Sequence, residues 1–230
     1  MAHPVGIHHL ALSTGNMKAQ IEFFTDVLGM ELVALYWMHG VEGAWHGFMK
    51  LDENCAVAFV FIPGNEKIGT EIGVTHPGTG AGTSSPGTMQ HISFNVPTME
   101  ALLNMRDRIR SRGVNVMGPI RHGFCQSIYF SGPENLALEV ATSEGAEHPL
   151  DHKQTWIDPE VVGLAGITEE ELARFTNPAP YAGEKGAVAQ PAYDANKPHP
   201  PMPKEALEGI YSIPDDVFTA QASETTPPNL

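Results

Sequence analysis

A strand, a helix and three strands occur twice in the first 142 residues, and this repeat constrains the fold more than any other feature. The first copy opens with "GIHHLALST". Asn16 is placed to cap a helix in which Met17, Ile21, Phe24 and Leu28 share one face, and Gly29 supplies the stop. Strand-like runs follow at "MELVALYWM", "GFMKL" and "CAVAFVFIP". The second copy opens with "MQHISFNV". Thr98 caps a helix carrying Leu102, Met105 and Ile109, Gly113 ends it, and strands follow at "VNVMGPI", "SIYFS" and "ALEVAT". The histidines His9 and His91 fall at the same place in the two copies.

One such unit has a sheet with one helix-covered face and one bare face. Two units side by side can curl their sheets around a shared cavity. The expected fold is therefore α+β: two βαβββ modules, at about residues 5–62 and 88–142, forming a curved mixed sheet around a metal-containing cavity in a domain of residues 1–142. The Gly-rich loop 63–87 between them is long for a plain connection, which suits a functional lid or a linker. Residues 143–230 read differently. They hold 12 of the 19 prolines, with turn and polyproline signals. Thr168 and Glu171 form a capping box in "ITEEEL", and "PKEALEGIY" suits a further short helix. This Pro-rich C-terminal extension is expected to pack on the core or on a partner subunit.

Charge narrows the function classes. With 27 acidic against 13 basic side chains the net charge is −14, which disfavours nucleic acid and anionic membrane surfaces as partners. No stretch approaches the apolar length of a membrane span, and "MAHPVGIHHLAL" lacks the basic start of a secretory signal. Cys55 and Cys125 form no C-x-x-C unit. A cytoplasmic setting with reduced thiols is the expectation.

Strand alternation then selects the residues that carry chemistry. In the first strand Ile7, His9, Ala11 and Ser13 share one face, while His8, Leu10 and Leu12 share the other. The second is the more apolar and should pack under the helix, so His9 faces the cavity and His8 diverges from it. In the second copy His91, Ser93 and Asn95 share the matching face. Glu139 interrupts the apolar strand "LALEVAT", and a carboxylate buried in a strand is costly unless paired or coordinated. Two imidazoles and one carboxylate form a divalent-metal set, and this facial arrangement with open positions suits non-haem Fe(II), with Mn(II), Zn(II) or Ni(II) as other occupants.

The segments "HHLALST…FFTDVLGMEL", "QHISFNV" and "LALEV" resemble the vicinal oxygen chelate superfamily, which holds glyoxalase I, extradiol dioxygenases, an epimerase and antibiotic-resistance proteins. The resemblance implies that His9, His91 and Glu139 are metal ligands. Residues 120–139, "IRHGFCQSIYFSGPENLALE", are similar to the signature of type I extradiol dioxygenases, through His122, Ile128, Tyr129, Pro133 and Glu139. Gly132 and Asn135 depart from its usual residues. The likeness implies that His122 and Tyr129 are catalytic, beside the metal. The further acid–base histidine of that branch has no match at its usual place, and His76 or His46 is the candidate to replace it. "CAVAFVFIP" lacks the fourth ligand that glyoxalase I takes from this strand. The function implied is ring cleavage of a catechol-like or hydroquinone-like aromatic by dioxygen, in a homodimer or higher oligomer. A glyoxalase-type isomerase or lyase and a small-molecule binder are the alternatives. Trp37, Phe48, Phe124 and Tyr129 are the expected pocket walls. Replacing His9 by Ala should abolish metal-dependent activity, read by oxygen uptake, whereas replacing His8 should mainly perturb packing, read by thermal melting.

Overall fold

The computed structural model describes residues 3–150, 154–181, 188–220 and 226–230. Two compact units divide them, residues 3–179 and residues 180–230.

In the larger unit the repeat becomes two sheets of identical topology. The first contains β1 (His9–Ser13), β2 (Glu31–Trp37), β3 (Trp45–Asp52) and β4 (Cys55–Phe61), in the order β1-β4-β3-β2. The second contains β5 (Ile92–Asn95), β6 (Met117–Arg121), β7 (Gln126–Ser131) and β8 (Ala137–Thr142), in the order β5-β8-β7-β6. In each sheet the first and last strands pair in parallel and the remaining pairs are antiparallel. The two sheets are open and share no strand pairing among the described residues.

Helix α1 (Met17–Glu22) starts at Asn16, whose side chain accepts from the Ala19 N–H, as its sequence suggests. It runs on into a π-helical turn, Phe23–Val27, in which the Leu28 N–H donates to the Phe23 carbonyl five residues back. Gly29 ends the run at φ +79°, a left-handed conformation that favours glycine, and a Cβ there would strike the Arg108 guanidinium. Helix α2 (Met99–Ser111) is capped by Thr98, whose side chain accepts from Ala101 N–H.

Each helix covers one face of its own sheet, and those two faces meet. Phe24 of α1 is fully buried and touches Phe59 on β4 at 4.9 Å and Phe94 on β5 at 6.2 Å, centroid to centroid. Phe23 stacks on Phe130 of β7. Met17, Met49, Val57, Leu102, Ile109, Ile128 and Leu138 complete one continuous core fed by both modules. The opposite face of each sheet consequently points outward.

A buried polar contact fixes the modules against each other. Glu134, in the β7–β8 turn, accepts from the Thr14 hydroxyl, the Gly15 N–H and the Gln20 amide, each at 2.7 Å. Thr14 and Gln20 are almost fully buried. On the far side, Arg108 donates to the carbonyls of Val27, Asp26 and Thr25 at the end of the α1 run. The buried Gln20 is a polar side chain on a helix face that periodicity alone assigns to hydrophobic packing.

Beyond β8, the larger unit carries α3 (Pro159–Leu164) and α4 (Glu169–Thr176), the latter with the expected Thr168–Glu171 capping box. The smaller unit carries α5 (Lys204–Tyr211), over the expected helical segment, and α6 (Asp215–Ala220).

Burial alone would raise the Glu134 carboxyl, but the hydrogen bonds from Thr14, Gln20 and Gly15 outweigh it and hold the group below its ordinary 4.5. A folded-state value below the unfolded one stabilises the fold above pH 4.5, and that contribution is lost as pH falls through the lowered value. Glu134→Ala should therefore cost about 3 kcal/mol in urea unfolding at pH 7, since it strips partners from buried Thr14 and Gln20. The part of that loss that comes from the lowered carboxyl should disappear in strongly acid solution.

Candidate active site

The outward face of the second sheet gathers the polar residues expected from sequence. Ser93 pairs with Glu139 across β5 and β8, and Tyr129 pairs with Glu139 across β7 and β8, so these side chains share one face. Glu139 is 5% exposed, which is unusual for a carboxylate and demands a partner. His91 lies just ahead of β5, and its Nε2 stands 2.9 Å from Glu139 Oε2. Its Nδ1 is hydrogen-bonded to Gln90 Oε1. Gln90 in turn donates to the carbonyls of Thr79 and Gly80, which ties the Gly-rich loop to the site. Gln90 therefore orients the His91 ring and leaves Nε2 facing Glu139. It was visible in "MQHISF" as the polar residue next to the histidine, but its partner loop was not.

Tyr129 and His122 form the second constellation. The Tyr129 hydroxyl and His122 Nε2 are 2.7 Å apart. Burial is the main force raising the Tyr129 phenol above its ordinary 10.0. A hydrogen bond from Ser127 opposes it, and the Glu139 charge adds to it. His122 sits at a turn closed by its own N–H to the Cys125 carbonyl. Phe124 lies against the His122 ring, Trp156 packs edge-on against Phe124 at 5.5 Å, and Trp156 Nε1 donates to the His148 carbonyl. The segment after β8 thus braces the His122 turn, a role for Trp156 that no local pattern revealed. His91, His122, Tyr129 and Met117, with the loop backbone at residues 78–81, line a cavity of about 1130 Å³.

The first sheet presents a different face outward. His9, Ala11, Ala34, Tyr36, His46, Phe48, Ala56 and Ala58 share it by register. His9 is exposed and meets Phe48 edge-on at 5.8 Å, and buried His46 meets Phe48 and Tyr36. His8 does not diverge from His9: their Nδ1 atoms are 2.9 Å apart. Strand β1 begins at His9, so His8 precedes the pleat and alternation does not govern it. Trp37 stands on the β2–β3 hairpin, away from the His91 cavity. His76 is half-buried in the Gly-rich loop, where its Nδ1 is 2.9 Å from the Thr75 hydroxyl.

A divalent ion held by two imidazoles and a carboxylate needs all three donors around one point, each about 2.0–2.2 Å from it. One chain brings two of them together, His91 and Glu139. Among the described residues no group of three His, Cys, Asp or Glu side chains is placed to hold a metal ion. His9 stands apart, so the three-ligand set does not fit within a single chain.

Residues 6–140 match the model of the Glyoxalase/Bleomycin resistance protein/Dioxygenase superfamily. The chain belongs to this family. Two curated relatives from Rhodococcus globerulus are similar to it. Biphenyl-2,3-diol 1,2-dioxygenase 3 is 25% identical over 181 residues, covering 71% of this chain and 85% of that protein. Biphenyl-2,3-diol 1,2-dioxygenase 2 is 26% identical over 133 residues, covering 57% of this chain and 60% of that protein. Among solved structures, a glyoxylase/bleomycin resistance protein/dioxygenase domain from Frankia sp. EAN1pec matches 61% of this chain and 99% of its own at 15% identity, with a TM-score of 0.49. Membership fixes the α+β architecture of paired modules. Among the described residues no helix is long and apolar enough to cross a membrane.

Because burial raises the Tyr129 phenol, its ionisation should have a midpoint above pH 10. The difference in 295 nm absorbance between wild type and Tyr129→Phe, followed from pH 8 to 12, measures it. A midpoint at or below 10 contradicts the burial argument.

Proposed function

We propose that this chain is an extradiol-type ring-cleaving dioxygenase, acting with dioxygen on a catechol-like or hydroquinone-like aromatic and using one divalent metal, Fe(II). The observation that carries the proposal is the Tyr129–His122 pair, hydrogen-bonded at 2.7 Å on the wall of a cavity shared with His91. The raised phenol keeps Tyr129 protonated at neutral pH, so its O–H is available as a donor. His122 Nε2 is the adjacent group able to take a proton from a substrate hydroxyl and return it, as general acid–base work requires. An aromatic diol suits a cavity with Met117 and Tyr129 on its walls and a carboxylate–imidazole pair alongside.

Family membership and the two relatives named as biphenyl-2,3-diol dioxygenases support this reading over the alternatives. The glyoxalase-type isomerase or lyase is the weaker one, because after Cys55 strand β4 offers only apolar side chains and no fourth ligand. His91 and Glu139 are the ligands that the chain presents together, and His9 is the third in this proposal. His76 is the proposed acid–base residue from the loop, since it lies two residues ahead of the cavity rim at Gly78. Two free thiols, at Cys55 and Cys125, accord with a cytoplasmic location.

The test is anaerobic loading with Fe(II), followed by oxygen uptake and the absorbance of ring-opened product. The substrate panel is catechol, 2,3-dihydroxybiphenyl and hydroquinone. At least one diol should be consumed with stoichiometric oxygen. Tyr129→Phe and His122→Ala should each lower kcat by about 100-fold while metal content stays unchanged. Absence of uptake with any diol in the iron-loaded protein refutes the proposal.

A further inference from the structure

We propose that Trp156, on the segment that follows β8, is a positioning residue for His122: it holds the His122 turn in the orientation that keeps Nε2 on the Tyr129 hydroxyl. The proposal rests on the dioxygenase reading above, in which His122 moves a proton. It goes further, to what fixes that imidazole in place.

The turn needs support from outside itself. His122 lies in the connection between β6 and β7, followed by Gly123, Phe124 and Cys125. One backbone bond closes it, from the His122 N–H to the Cys125 carbonyl at 2.9 Å. Gly123 sits in it at φ +81°, and glycine leaves the backbone free to move. Proton transfer needs the opposite, an imidazole held within hydrogen-bond reach, because a misplacement of about 1 Å is costly in rate. Neither Phe124 nor Trp156 belongs to the hydrophobic core, so core packing does not supply the constraint.

The segment after β8 supplies it through a closed circuit of contacts. The His148 N–H donates to the Gly123 carbonyl at 3.3 Å, and the His148 carbonyl accepts from the Trp156 indole at 2.8 Å. The indole then returns to the turn. It lies so close to Gly123 that a Cβ there would come within 2.8 Å of its Cη2 carbon. It also stands edge-on to Phe124, at 5.5 Å and 82°. The Phe124 ring lies along the His122 ring at 6.2 Å and 29°, and His122 Nε2 is 2.7 Å from the Tyr129 hydroxyl. Gly123 is thus needed twice, for its left-handed backbone and for the bare surface against which the indole rests. The Arg121–Glu147 ion pair at the same junction is exposed and adds little.

Two features separate positioning from other roles. Trp156 is 45% exposed and stands outside the core, so its removal takes little from the net stability of the fold. His122 and Tyr129 line the cavity whereas Phe124 and Trp156 do not, so Trp156 acts through the turn and not on a bound substrate. His148 and Trp156 also lie beyond residue 140, where the family match ends. The orientation of the proton-moving imidazole is therefore set from outside the paired modules.

Two measurements test this. The first is imidazole NMR of the metal-free protein in mildly alkaline solution, with the His122 signals identified by their loss in His122→Ala. Wild type should show His122 as a single neutral tautomer, and Trp156→Ala a mixture of both. The second is kinetics of the iron-loaded protein with the diol it consumes. Trp156→Ala should lower kcat about 10-fold, with KM within about two-fold and iron content unchanged. Trp156→Phe keeps a ring against Phe124 and should stay within about three-fold of wild type in kcat. In a His122→Ala background, Trp156→Ala should change kcat by less than about two-fold, because the group it positions is gone. An unchanged kcat in Trp156→Ala, a loss that multiplies with that of His122→Ala, or a single tautomer kept in Trp156→Ala each overturns the proposal. A wild type that consumes no diol overturns the proposed function instead, and the tautomer spectra then decide by themselves whether Trp156 holds His122. Circular dichroism melts check that the variants fold, and Trp156→Leu replaces Trp156→Ala if it does not.

Discussion

The structure depends on one burial event: the helix-covered faces of two four-stranded sheets share a single core. Phe24 is its hub, with no exposed surface and aromatic contacts to both sheets. A fully buried phenylalanine of this kind is worth roughly 3–5 kcal/mol, a large part of the net stability of a domain. Neither module could bury its apolar face as well alone, because a helix of six residues with one π-helical turn covers only part of four strands. The cost of this solution is topological. Once the helix faces are joined, the outward faces and the β1 and β5 edges are what remains for function.

Polar contacts then set the angle at which the halves meet. A hydrophobic interface alone is permissive about orientation, whereas a carboxylate accepting three hydrogen bonds is not. Glu134 holds Thr14, Gly15 and Gln20 at the start of α1, and Arg108 gathers the carbonyls at the end of the same helical run. A cation at that end also meets the negative pole of the helix. The turn bearing Glu134 needs left-handed backbone at Glu134 and Asn135. Asn tolerates that conformation better than most residues, which accounts for Asn135 at a position where the related signature has another residue. Module docking and the placement of β8, which carries Glu139, are therefore controlled by the same turn.

Sequence made the local elements and the second-sheet site legible because both obey short periods. Caps at Asn16 and Thr98, stops at Gly29 and Gly113, and the alternation that places Glu139 with Ser93 and Tyr129 are all decided within a few residues. His8 escaped the same rule because it stands one residue outside the strand, where no pleat fixes its direction. Gln20 escaped because its partner, Glu134, is 114 residues away. Trp156 and Gln90 escaped for the same reason: each acts through a segment that only folding brings near, the His122 turn for one and the Gly-rich loop for the other. The arrangement of the two modules was beyond periodicity altogether. A βαβββ repeat is compatible with modules side by side or joined at their helices, and the choice lies in which aromatic side chains find each other.

The register also shows how the two copies have divided their labour. Taking His9 as the counterpart of His91, Ala11 corresponds to Ser93, and pairing then carries Ala58 onto Glu139 and Phe48 onto Tyr129. The first module retains the histidine but has an alanine for the carboxylate and a phenyl ring for the phenol. At those two positions it lacks the carboxylate and the phenol, although Tyr36, His46 and Lys50 lie on the same face of the sheet.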